Sequence, residues 1–333
     1  MKATQGTTYN MLGSRLNSVA LELENLRSIG ATGKKLQVAS DDPAAVRPVL
    51  NTRKQISNID RYVETMGNAS DIMGATDGNL EHVENIMQRA EEIMVNAING
   101  SLNDEDRETL ANELDQLTDE LLDAANANID GKYIFAGYQE DTKPFVYNTA
   151  YDPALYDPND HRTWPVLYNG DDNATELEIA TNERLEVNLT GNRLFLGTSV
   201  WRQGPYDATD PDPNNDPNAI ESGMYNLFTE LTQAAEAIRA DNDTEMQTAL
   251  DDLQGAAEQS RRLRSQLGNR AARVESAMVY QENVKVDLQQ ILSRYEDADA
   301  IEVFNDIVQQ ETAFQAALSI TGKVSALSIL DYI

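Results

Sequence analysis

Residues 59–97 read IDRYVETMGNASDIMGATDGNLEHVENIMQRAEEIMVNA, and the fold turns on this stretch. Counted in sevens from Ile59, one position is filled by Met66, Met73, Leu80, Met87 and Met94. Three residues after each comes a slimmer series: Tyr62, Ala69, Thr76, Val83, Ala90 and Ala97. Held for six heptads without a proline, this a/d pattern specifies a long helix whose seam lies against other helices. The predicted helix spans Ala44 to Asn99, roughly 84 Å at ~1.5 Å per residue. Methionine facing small residues lets partner helices approach closely. The stripe reads as bundle core and not as a ligand box.

Outward from this helix, Ser40-Asp41-Asp42-Pro43 supplies its start, with Asp42 suited to the N-cap and Pro43 to the first turn. Pro48 is expected to loosen or kink the turns that follow. Upstream, Leu12, Leu16, Val19, Leu23 and Leu26 are spaced 4, 3, 4, 3. At 100° per residue they form a stripe about 80° wide, which demands one partner helix. Gly30 and Gly33, followed by Lys34-Lys35, stop that segment. Downstream, Asn103-Asp104-Glu105-Asp106 opens another helix with the seam Leu110, Leu114, Leu117 and Leu121. After Gly131 the period shortens. Residues 132–138, 145–147, 164–168, 177–179, 185–187 and 194–196 are short strand candidates, with Asn169-Gly170 and Gly191-Asn192 as turns. Aromatics crowd between 133 and 206, enough for this insert to hold a core of its own. Residues 204–219 carry four prolines and read as a loop. A short helix over 225–238 follows. A second long seam then runs from Met246 through Leu253, Arg264, Leu267 and Val274 to Tyr295. Glu296-Asp297-Ala298-Asp299 interrupts it before a last apolar segment, 301–333.

The fold class is therefore mainly α: a long antiparallel coiled-coil or helical-bundle trunk carrying a small, mostly-β insert. The domains expected are terminal helices at 1–42 and 300–333, a trunk at 43–130 and 222–299, and an outer insert at 131–221.

Composition narrows function. Formal net charge is −30, from 56 acidic and 26 basic residues over 333. A surface this acidic suits neither nucleic acid nor an anionic membrane. Cysteine is absent, which removes disulfides, thiol catalysis and the usual zinc or iron–sulfur sites. No 18-residue apolar run and no Sec-type signal pattern appears. The two histidines, His82 and His161, fall in different predicted domains and read as surface residues. No nucleotide, metalloprotease or hydrolase motif is present, so no catalytic residue, cofactor or metal site is assigned. Asp210, Asp212, Asn214, Asp216, Asn218 and Glu221 reproduce the spacing of a calcium loop. Asn215 replaces its glycine, prolines fill three positions and no entering helix precedes it, so the stretch reads as an acidic surface loop.

Gly33-Lys34-Lys35-Leu36 and Ser40-Asp41-Asp42-Pro43-Ala44-Ala45 together resemble the N-terminal signature of the flagellin superfamily. Gly131-Lys132-Tyr133-Ile134-Phe135-Ala136-Gly137 and the ending Leu327-Ser328-Ile329-Leu330-Asp331-Tyr332-Ile333 are similar to the superfamily's hook–filament junction branch. The likeness covers both ends and the trunk, and leaves out the insert. It implies a non-enzymatic axial protein of the bacterial flagellum, located outside the cell and exported unfolded by the flagellar type III route. It also implies four partners: hook-associated protein 1, flagellin, further copies of the chain in a ring, and an export chaperone. Two other readings share the sequence features: a filament flagellin, and a secreted coiled-coil module whose insert binds glycan or calcium.

The last segment is expected to need neighbours. Phe314, Leu318, Ile320, Val324, Leu327, Ile329, Leu330 and Ile333 ring a helical wheel, and a helix apolar all round must be buried all round. One partner stripe does not achieve that. Assembly is therefore assigned to Leu12, Leu16, Val19, Leu23 and Leu26 at one end and to Leu318, Val324, Leu327, Leu330 and Ile333 at the other. The terminal segments are expected to be mobile in the free chain and helical in the assembled axis.

Overall fold

The computed structural model describes residues 5–100, 102–201 and 218–330. The chain divides into two compact units, residues 61–281 and residues 1–60 with 282–333. Helices α2 (Pro43–Asn99) and α6 (Asp243–Glu296) each supply residues to both.

In the 61–281 unit, α2 and α6 are joined by α3 (Asp104–Ala125) and α5 (Leu227–Arg239). The heptad register holds: Met66, Met73, Leu80, Met87 and Met94 are buried, as are Ala69, Thr76, Val83, Ala90 and Ala97. Neighbouring helices run antiparallel, as their cross-pairs show. Arg89 meets Glu113 at 2.6 Å and His82 meets Glu120 at 3.2 Å, from α2 to α3. Arg264 of α6 reaches Asp77, Glu81 and Glu84 of α2 at 2.9–3.1 Å. Thus Arg264, read as a seam residue, spans the seam with its stem and places its charge at the edge. Asn103 caps α3 in a reciprocal capping box with Asp106.

The insert holds three two-stranded antiparallel sheets among the described residues. They pair β1 (Asn128–Ile129) with β2 (Lys132–Tyr133), β3 (Phe145–Tyr147) with β4 (Val166–Tyr168), and β5 (Glu176–Ala180) with β6 (Glu183–Glu186). Residues 194–196 are not a strand. They belong to a short helical turn, α4 (Gly191–Phe195), and its C-cap. A short apolar run buried on every side carries no period, so strand and helix look alike in sequence. Gly191 permits the turn: a side chain there would lie 2.7 Å from the Phe145 ring.

The insert's core is not its own. Phe145 and Phe195 pack 5.6 and 5.9 Å from Phe228 of α5, with Phe135 and Tyr168 around them. Asn126 at the end of α3 bonds both the N–H and the C=O of Phe145. Gln259 and Gln281 of α6 donate to the carbonyls of Leu194 and Ile179. His161 lies half-buried, edge-on to Trp164 and Trp201.

In the other unit, α1 (Gln5–Thr32) pairs with α7 (Ala300–Leu330). Asp42 caps α2 by accepting from the N–H groups of Ala44 and Ala45. Helix α2 continues unbroken through Pro48, whose missing donor leaves only the Ala44 carbonyl without its helical partner.

Candidate assembly surface

The α1–α7 pair brings together part of what the sequence assigned to assembly. On α1, Leu23 is buried and Leu12, Leu16, Val19 and Leu26 are half-buried, so these five form the inward stripe. The helices run antiparallel: Arg27 pairs with Glu311 at 2.6 Å, and Gly30 lies against Val303 and Ile307. A side chain at Gly30 would come 3.2 Å from the Ile307 methyl, so glycine sets this close approach.

On α7 the inward stripe is Val303, Ile307, Gln310, Phe314, Ala317 and Thr321, spaced 4, 3, 4, 3, 4. Sequence reasoning missed most of this stripe, because Gln310 and Thr321 interrupt its apolar count while leucines and isoleucines ring the rest of the helix. Leu318 lies off the stripe and is 47% exposed. Val324, Leu327 and Leu330 belong to α7, but their side chains, like Ile333 as a whole, fall outside the described residues. Ile301 and Phe304, not singled out from sequence, are 76% and 67% exposed, and Ile320, Met11 and Leu21 are also exposed. The pair therefore buries one stripe and presents large apolar side chains outward, a signature of a surface that other chains cover.

A polar junction fixes where the two helices begin and end. The side chain of Glu296, at the end of α6, is 3% exposed and bridges Arg53 at 2.7 Å and Lys34 at 3.2 Å. Burial pushes its carboxyl up in pKa. The bonds to Arg53 and Lys34 outweigh burial and hold it below the usual carboxylate range. The backbone repeats the link: Lys35 donates to the Glu296 carbonyl at 2.8 Å and Ala298 to that of Gly33 at 2.9 Å. Gly33 has φ 69°, a left-handed conformation that stops α1. Asp41 accepts from the N–H groups of Val38 and Gln37, and these bonds hold its carboxyl low. The sequence signature at 33–36 and 40–45 is thus a structural device. It links α1 to α2 and ties that connection to the α6–α7 turn.

The acidic loop at 210–221 lies mostly outside the described residues. Of its far end, Glu221 accepts from the Ser199 hydroxyl. Among the described residues no helix is long and apolar enough to cross a membrane.

Residues 4–140 match the bacterial flagellin N-terminal helical region. Over 310 residues the chain is 26% identical to flagellar hook-associated protein 3 of Escherichia coli (strain K12), covering 90% of each chain. The chain is thus similar to flagellin at its N-terminal end and to hook-associated protein 3 along most of its length. Likeness to hook-associated protein 3 is nearly full-length, whereas likeness to a filament protein is partial. The flagellar filament 41 kDa core protein of Borreliella burgdorferi is 31% identical over 32% of each chain. The fold is that of hook-associated protein 3 from Legionella pneumophila, with a TM-score of 0.59 and 18% identity, covering 74% of this chain and 98% of that one. These likenesses are to structural proteins of the bacterial flagellum.

Proposed function

We propose that this chain is the subunit that joins the flagellar hook to its filament. It seats on hook-associated protein 1, forms a ring with further copies of itself, and offers the ring as a base for flagellin. An export chaperone holds it before it leaves the cell unfolded by the flagellar type III route. Residues 1–42 and 300–333 line the axis, 43–130 and 222–299 form the trunk, and 131–221 face outward. The observation that carries this reading is the α1–α7 pair, with Ile301, Phe304, Leu318 and Ile320 exposed outside the stripe that α7 turns to α1. Such a surface belongs to a subunit in a lattice and needs no catalytic group. The nearly full-length likeness to hook-associated protein 3 favours the junction over the filament.

Deletion of the gene tests it. The expected phenotype is hooks without filaments and flagellin monomers in the medium, restored by the wild-type gene and not by one lacking residues 325–333. Filaments of normal length on the deletion strain would overturn the junction assignment.

A further inference from the structure

The 61–281 unit contains a groove of about 400 Å³ that the assembly reading leaves unused. Its floor is Ala69 of α2 and Leu177 of β5, and its walls are Ile72, Ile129, Ile134 and Val187. Ile72 stands 46% exposed at the mouth. The β1–β2 hairpin turns through Asp130 and Gly131 at φ 52° and 86°. Both are left-handed, as a two-residue turn between twisted strands requires. That turn holds Asp130 at the rim. Lys132 beside it is already paired with Glu140 at 2.5 Å, and Glu176 is paired with Arg184 at 3.3 Å. Asp130 has no ion pair among the described residues. The lining thus sets three carboxylates, Asp130, Glu140 and Glu176, against one lysine.

We propose that this groove docks a segment of a different protein, one presenting an aliphatic or aromatic anchor beside a lysine or arginine. The anchor fills the apolar floor and the cation meets Asp130. Complementary charge at the rim of an apolar site selects partners and speeds encounter. A second copy of this chain is the poorer occupant of this one site, because its surface offers 26 basic residues against 56 acidic ones to an acidic rim.

The probes are two capped hexapeptides with one central tryptophan, flanked in one by lysines and in the other by glutamates. Each is titrated into the full chain, with the isoleucine methyl groups followed by NMR. The lysine peptide is expected to shift Ile72, Ile129 and Ile134 saturably, and to bind at least about 10-fold more tightly than the glutamate peptide. Asp130→Asn keeps the turn, since asparagine tolerates positive φ. It is expected to weaken the lysine peptide about 3- to 10-fold at low salt, with the difference fading at high salt. Ile72→Glu, at a half-exposed site, should remove the lysine peptide's saturable shifts. Equal binding of the two peptides, or no binding of either at millimolar concentration, overturns the proposal. So does sedimentation showing that Ile72→Glu breaks up a self-associated species, which would make the occupant a second copy.

Discussion

Two glutamates show how the same residue type is set to opposite tasks by its neighbours. Glu296 is buried against two cations, stays charged, and ties two turns together. Glu230 of α5 is buried beside another carboxylate. Burial first, and Asp252 second, push its carboxyl up to about 8. The sign follows from where each state binds its proton. Below about pH 4.5 the group is protonated whether the chain is folded or not. As pH rises from there toward 8, the unfolded chain releases the proton while the folded chain keeps it, so stability is lost across that window. At about 1.4 kcal/mol per unit, the loss is on the order of 3 kcal/mol at pH 7. Glu230→Gln removes this titration. Urea unfolding should find the variant more stable than the natural chain at pH 8 by a few kcal/mol, and near parity at pH 4.5. A constant difference across that range would mean Glu230 is not the group that titrates.

At the scale of elements, the heptads were legible because they repeat, and repetition averages out single exceptions such as Thr76 or Arg264. The caps at Asp42 and Asn103 and the break at 296–299 were legible because each is a local choice of the backbone. The α7 stripe was not, because leucine, isoleucine and valine on every side of the helix conceal which side faces α1. Nor was the shared core of the insert: Phe228 reads as one more apolar residue on an amphipathic helix, and only the fold brings Phe145 and Phe195 onto it. The sequence suggests an insert with an independent core, and the structure shows one cluster common to α5 and the insert. Joining Asp130 to Ser222 by a short linker would therefore uncover Phe228 and strip Gln259 of its Leu194 acceptor. A buried aromatic contributes about 1.5–3 kcal/mol and a lost buried bond about 1–3. The excised variant should melt well below the full chain and aggregate at concentrations where the full chain is soluble. A matching melting curve would show that the trunk closes without the insert.

For the molecule as a whole, two facts have to coexist. The chain is strongly acidic, and its terminal helix pair leaves large apolar side chains exposed. Ordering a residue costs about 1–2 kcal/mol of backbone entropy, and a helix buried along one stripe recovers only part of that. On this reading α1 and α7 are completed by the axis and not by the chain alone. Native-state hydrogen exchange tests this most directly, comparing the free chain with the chain assembled on purified hooks. The amides of 8–30 and 303–323 should exchange quickly in the free chain, while those of 66–97 stay protected, and should become protected on assembly. Strong protection at 303–323 in the free chain, unchanged by assembly, would contradict the account.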